Sequence, residues 1–367
     1  MPYRYKSDRQ ILSCICIIIL FHMGLYDLDR DGLTNALSDY PKYRVNQLIH
    51  GIYANFLSPQ EISELPSALR QELASREDFQ PSLREDTRRV SDRGLTTKYL
   101  FSLSDGRQIE SVLMYGPKST TVCISSQAGC AMACKFCATG DLGFSRHLGV
   151  GEIVEQVITA AREAKSNGSR LDHVVYMGMG EPLANCGPVI ESLHRIIEVM
   201  GLSARKVTLS TVGIVPGIKR LAKEELAINL AVSLHAANDD LRSALVPINK
   251  TYPIAILMEA CAHYLSVKNR RISFEWALMS GVNDSEQDAK ELAKLAKTLY
   301  PAAHVNLIPL NPTTGAMGKG LLAPSKEKIN LFSSMLSELG VNATVRRTRG
   351  QEIAAACGQL AGSTPEG

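Results

Sequence analysis

From residue 120 onward the sequence alternates apolar, strand-like runs with amphipathic stretches, and this alternation limits the fold more than any other feature. The runs "TTVCISS", "HVVYMGMG", "KVTLSTVG", "AINLAVSLHA", "RISFEWALMSG", "AHVNLIPLNP" and "NATVRRTRG" are separated by helical patterns at 151–165, 187–199, 216–223, 253–266, 285–299 and 325–338. Short links between such segments demand crossover helices and a parallel sheet, either open and doubly wound or curled into a complete or partial barrel. At 285–299 the signal is especially clear: Asn283, Asp284 and Ser285 are available as caps, and Leu292, Leu295 and Leu299 form one apolar stripe. No repeat, low-complexity linker or Pro-rich tract divides residues 120–350, which read as one domain.

Upstream, residues 24–80 read as short helices, among them "RVNQLIHGIYANF" with Val45, Leu48, Ile49, Ile52 and Phe56 at helical spacing. Two apolar stretches around Asp105-Gly106 predict a β-hairpin. The expected organisation is an apolar leader at 1–22, a helical, RNA-binding accessory domain at 23–95, a hairpin linker at 96–119, the α/β region at 120–350 and a tail at 351–367. The leader "ILSCICIIILF" follows basic residues as a signal peptide would, but it is too short to span a bilayer and no A-x-A site follows. It is read as dispensable or untranslated, with Met23 as the working start. With 45% hydrophobic residues, 21% charged and a net charge of +3, the chain has the composition of a soluble enzyme; charge alone says nothing about nucleic acid. Nine cysteines, unevenly placed, exclude a secreted disulfide framework and point to a reducing compartment, the cytoplasm, without stable membrane association.

Function in such folds gathers at the C-terminal ends of the strands. There the sequence places "GCAMACKFCATG" with Cys130, Cys134 and Cys137, then "GMGEP" with Gly180 and Glu181, Ser210 and Thr211, Ser233 and His235, and Asn311. Three thiolates on a 4Fe-4S cluster leave one iron without a protein ligand, which distinguishes a cluster that does chemistry from one that only carries electrons. The C-x3-C-x2-C spacing with Phe136 resembles the radical S-adenosylmethionine (SAM) superfamily, in which SAM occupies that iron. In that setting the glycines of "GMGEP" would allow close backbone approach, and Glu181 would accept from the SAM ammonium. The competing reading is a zinc knot with a remote fourth ligand such as His147.

Two further cysteines narrow the reaction. Alone, Cys123 and Cys357 would be inert small residues. Together with "ESVLMYGP", "STVGIVPGI", "LAVSLHA", "FEWALMSGVND", "NLIPLNP" and "RRTRGQEIAAACGQLAG", they resemble the RlmN/Cfr family of RNA methyltransferases over residues 30–362. The resemblance implies a partial (β/α)6 barrel of the TIM type, with a 4Fe-4S cluster on Cys130, Cys134 and Cys137 and two SAM molecules per turnover. It implies SAM contacts at Gly180, Glu181, Ser210, Ser233, Leu234, His235 and Asn311. It makes Cys357 the cysteine that is itself methylated, Cys123 the one that resolves a covalent RNA adduct, and Glu110 the proton acceptor. Glu352 departs mildly from the family's tail, where Asp is commoner.

The activity so implied is methylation of adenosine C2 in 23S rRNA at the peptidyl transferase centre and in tRNA 3′ of the anticodon, by a monomer served by an electron donor such as flavodoxin or ferredoxin. The sister activity at C8 shares the motifs; the extended helical module and "ACGQLAG" resemble the C2 type more. A non-enzymatic iron-sulfur redox protein would leave Cys357 and the open iron without a purpose, and a radical SAM enzyme of small molecules would not need RNA. Lys42, Arg44, Arg84, Arg88, Arg89, Arg93 and Lys98 form a basic cluster that reads equally as an RNA-backbone surface or a solvated face.

Overall fold

The computed structural model describes residues 24–299, 301, 303–313 and 320–362. The leader at 1–22 and the last five residues of the tail lie outside them. Among the described residues no helix is long and apolar enough to cross a membrane.

The chain opens with three short helices, α1 (Arg30–Ala36), α2 (Tyr43–Ile49) and α3 (Ser67–Ser75), with α2 running on into a π-type turn at His50–Ala54. Three antiparallel strands follow, β1 (Leu83–Ser91), β2 (Thr96–Leu103) and β3 (Gln108–Tyr115). Next come β4 (Thr120–Cys123), a small ladder of β5 (Gln127–Gly129) with β6 (Phe144–His147) around the one-turn helix α4 (Ala138–Asp141), and the long helix α5 (Val150–Ser166). The alternation then proceeds through β7 (Leu171–Tyr176), α6 (Cys186–His194), β8 (Val207–Thr211), α7 (Val215–Leu221) and β9 (Asn229–Ser233). It finishes with α8 (Asp239–Leu245), α9 (Ile254–Lys268), β10 (Ile272–Leu278), α10 (Glu286–Thr298), β11 (His304–Pro309), α11 (Lys326–Glu338) and β12 (Ala343–Val345).

All strands except β5 and β6 join one sheet in the order β1-β2-β3-β4-β7-β8-β9-β10-β11-β12. From β4 onward every pairing is parallel and every neighbour is the next barrel strand in the chain, as right-handed crossover helices produce. Among the described residues β1 and β12 are the free edges, so the barrel is partial, with six β/α units and a short seventh parallel strand. The hairpin extends the barrel: β3 pairs with β4 and carries the sheet outward.

Strand β1 was not foreseen, because "LREDTRRVS" has no alternating apolar pattern. It is an edge strand held by backbone pairing to β2, and its charged side chains guard the edge against pairing with another chain. The capping of α10 follows the sequence reading: the Ser285 hydroxyl accepts from Asp288 N at 3.2 Å, and Leu292 is fully buried. Helix α8 has only seven residues, too few for its apolar positions to show a helical repeat in the sequence.

The helical module buries Leu48, Ile52, Leu69 and Leu73 in its own core, to which Val154 and Ile158 of α5 also belong. At this seam Glu155 of α5 accepts from Ser82 N at 2.7 Å and Leu83 N at 3.3 Å, yet burial outweighs these donors and pushes its carboxyl up to about 8 from 4.5. Between those values the folded protein keeps a proton that the unfolded chain has lost. Stability therefore falls as pH rises from about 4.5 to about 8, and is level on either side. Urea midpoints measured near about pH 5 and about pH 9 are expected to differ less in Glu155→Gln than in the unsubstituted protein; an equal difference would contradict this.

Candidate active site

Where β4 ends, "SSQAG" is gripped from several sides before the cysteine loop begins. Gln156 of α5 accepts from Ser125 N at 2.8 Å and donates to Ser125 O at 3.0 Å, while Asn185 donates to Ser126 O at 2.9 Å. Gln127 accepts from Glu181 N at 2.8 Å, which ties the end of β4 to the end of β7. The glycines of "GMGEP" serve this junction. A Cβ on Gly178 would lie 2.6 Å from Ile124 O, and one on Gly180, at φ +97°, 2.5 Å from Gln127 Cβ. Their smallness thus serves strand-end packing, and both glycines also line the pocket described next.

The loop itself turns at Gly129 (φ +76°) and is closed by Cys130 N donating to Gly143 O at 2.8 Å. Cys130, Cys134 and Cys137 all line one pocket of about 960 Å³, together with Glu181, Ser210, Ser233, His235, Asn311 and Cys357. Burial pushes the Cys130 thiol up to about 12 and raises Cys134 and Cys137 as well, so loading a metal here must release protons. The three thiols are free. Among the described residues no three His, Cys, Asp or Glu side chains converge closely enough to share one ion. Three thiols on one wall are the donor set of a cluster with one open iron, while His147, the fourth ligand of the zinc alternative, is held by Gln127 at 3.0 Å outside the pocket lining.

Glu181, almost wholly buried, receives Leu183 N at 3.0 Å on one oxygen and Val212 N at 2.8 Å on the other. Burial still pushes its carboxyl up to about 7. Ser210 and Ser233 face each other across β8 and β9 at 3.4 Å. His235, in the left-handed region at φ 60°, accepts from Ala277 N on Nδ1 at 2.9 Å, and its ring meets Phe136 at 4.4 Å. Burial holds the imidazole neutral, with a value near about 3, so its proton resides on Nε2 as a donor. Leu234 is not brought to the pocket: its side chain is fully buried in the core, its N donates to Glu275 O, and its O accepts from Arg242.

A second chamber of about 530 Å³ shares Met177, Ile308, Asn311, Arg346 and Cys357 with the first, and Cys123 is on its wall. Cys357 therefore borders both spaces, and burial pushes the Cys123 thiol up to about 12. The tail carrying Cys357 is fastened by Asn311 donating to Cys357 O at 3.0 Å, Ala138 N to Gly358 O at 2.8 Å and Thr139 Oγ1 to Leu360 O at 2.7 Å.

Glu110 lines neither chamber. One of its oxygens pairs with Lys98 Nζ at 2.7 Å, and the other accepts Ala361 N at 2.8 Å, so it anchors the tail. Lys98 also reaches Ala354 O at 3.3 Å. Replacing it with methionine leaves a carboxylate buried without its cation. Lys98→Met is expected to loosen the tail, seen as faster limited proteolysis after residue 350; an unchanged cleavage pattern would contradict this. Four of the seven residues of the basic cluster meet partners within the protein, Arg84 and Arg88 while still exposed. Lys98 is buried in this pair, Arg84 binds Asp86 at 3.1 Å, Arg88 binds Glu163 at 2.7 Å, and Arg44 donates to Glu64 O at 2.8 Å. The sequence reading gave no role to Arg242, which lies outside the quoted motifs, or to Arg346, which opens "RRTRGQEIAAACGQLAG".

Parallel strand ends around a pocket walled by three thiols, with a buried carboxylate on the next strand, define a radical SAM enzyme, and the Radical SAM superfamily model matches residues 124–295. A protein of Mycobacterium marinum named as a dual-specificity RNA methyltransferase RlmN is 46% identical over 347 residues, covering 92% of this chain and 94% of the relative. One of Chloroflexus aurantiacus with the same name is 45% identical over 353 residues, covering 92% of each. The chain belongs to the RlmN family of radical SAM RNA methyltransferases. The crystal structure of a radical SAM methyltransferase from Sphaerobacter thermophilus superposes with a TM-score of 0.88 at 46% identity, over 93% of this chain and all of that one.

Proposed function

We propose that the protein methylates C2 of adenosine in 23S rRNA, at the peptidyl transferase centre, and in tRNA, 3′ of the anticodon. The observation that supports this best is that Cys357 borders both the thiol-walled pocket and the chamber of Cys123. Adenine C2 is an electron-poor sp2 carbon without a lone pair, a poor target for direct attack on a sulfonium methyl group. A carbon radical can add to it, provided that the methyl group is first stored on the protein.

Cys357 is the store, Cys123 the thiol that resolves the RNA adduct, and Cys130, Cys134 and Cys137 would hold the cluster. When bound, the cluster supplies the electron that cleaves one SAM to a carbon radical. Glu181 receives the SAM ammonium, the Ser210 and Ser233 hydroxyls and the His235 Nε2–H bind its remaining polar groups, and Asn311 fixes the peptide of Cys357. Glu110 holds the tail through Ala361 and is the proton acceptor of this reading. The target base must leave its stack to reach the mouth, which favours loops over regular duplex. The electron comes from an external donor such as flavodoxin or ferredoxin in the cytoplasm.

Nucleoside mass spectrometry of rRNA and tRNA from cells with and without the gene tests the reading. Loss of 2-methyladenosine is expected, in the RNA fractions that are substrates. Loss of 8-methyladenosine instead would move the activity to C8, and no change in either, reproduced with purified protein, would overturn the assignment.

A further inference from the structure

Arg346 directly follows β12, and its backbone N–H donates to Leu307 O at 2.8 Å, so its position is fixed by the last pairing of the sheet. Its side chain lines both chambers of the site and a third, polar cavity of about 690 Å³, which Glu275, Asn306 and His304 also line. A guanidinium is permanently charged and offers five N–H donors. Among the described residues the side-chain acceptor it meets is the Met177 thioether, with Nη1 to Sδ at 3.8 Å, and it forms no ion pair. A cation so poorly satisfied by its own protein is built to face an anion in the cavity.

Its neighbours identify that anion. Cys357 shares both chambers with it and is the largest electrostatic influence on its charge, ahead of burial, Glu275 and Cys123. Glu275 stands on the shared wall of the first and third cavities, 4% exposed. Its Oε1 accepts from Ser273 Oγ at 2.9 Å and Asn306 Nδ2 at 2.8 Å, and its Oε2 is buried without a partner. The carboxylate is held in the barrel wall through Oε1, and its charge favours a cation at the Arg346 position.

We propose that Arg346 is the electrostatic partner of the Cys357 sulfur, stabilising its thiolate for acceptance of a methyl group from SAM. The step is polar. The Cys357 S–H proton leaves to solvent, the sulfur electron pair forms the new S–CH3 bond, and the sulfonium S–CH3 bond breaks with its pair retained by S-adenosylhomocysteine. The inference rests on the reading of Cys357 as methyl acceptor given above.

The test uses full-length, cluster-reconstituted protein as wild type, Arg346→Lys and Arg346→Gln. Without reductant, S-methylation of Cys357 by SAM is followed by peptide mass spectrometry, SAM affinity by equilibrium dialysis and cluster content by visible absorption. Alkylation of Cys357 by iodoacetamide is timed separately, without SAM. With cluster content unchanged, Arg346→Gln is expected to slow both methylation and alkylation roughly tenfold or more, as loss of a neighbouring cation does for a reactive thiol. Arg346→Lys, which keeps the charge, is expected to recover most of both rates. Unchanged rates in Arg346→Gln overturn the inference. So does lost SAM affinity with normal alkylation, which would assign the guanidinium to the SAM carboxylate. Wild-type protein that leaves Cys357 unmethylated overturns the methyl-acceptor reading instead, and the alkylation rates then judge the Arg346 pairing on their own.

Discussion

Cys357→Ala protein is expected to load its cluster and bind SAM normally and yet transfer no methyl group to RNA, a loss of at least ~1000-fold against wild type, as removal of a covalent nucleophile produces. The side chain is half-buried and its carbonyl, held by Asn311 at 3.0 Å, survives the substitution, so the tail keeps its fastening through Gly358, Leu360 and Ala361. None of the three thiols of the cysteine loop is touched. What disappears is, among the described residues, the only thiol that borders both chambers. Single-turnover assays with labelled SAM and RNA, beside an absorption spectrum of the cluster, separate these effects; measurable methylation by the variant would sink the relay through Cys357.

The second large effect belongs to a residue that touches no ligand. Arg242, on α8, is fully buried and donates to Val212 O at 2.7 Å, Asn249 Oδ1 at 2.7 Å, Leu234 O at 3.2 Å and Ser233 O at 3.2 Å. One guanidinium thereby joins the ends of β8 and β9, the strands that present Ser210, Ser233 and His235. Burial lowers its pKa to about 10, so it still carries its charge at neutral pH. Arg242→Met would strand three carbonyls and an amide oxygen in the interior at a cost of about 3–5 kcal/mol. The urea midpoint is expected to fall by roughly 1 M or more, with SAM affinity reduced in whatever remains folded. Lysine cannot repair the fork, since its ammonium has three donors from one point. A midpoint within error of wild type would contradict the role.

Much of the barrel was legible because its signals are local. Helix α10 is announced by its cap and stripe, the strand runs by their apolar residues, and the cysteine loop by spacing. The elements that escaped are those fixed by distant partners. In β1 the residues are charged and only pairing with β2 makes them a strand. The buried ion pair of Lys98 and Glu110 joins side chains on adjacent strands, and neither residue advertises that it will reach the tail. Leu234 stands between two pocket residues in sequence, but strand alternation sends its side chain into the core, where it is fully buried. Arg242 and Arg346 look like ordinary surface arginines until the fold encloses them.

The tail does more than carry Cys357. It follows every barrel strand in the chain, and its carbonyls bind Ala138 and Thr139, next to the loop thiol Cys137. The methyl-accepting segment and the cysteine loop are thus one mechanical unit, and a change that shifts either of them displaces the other.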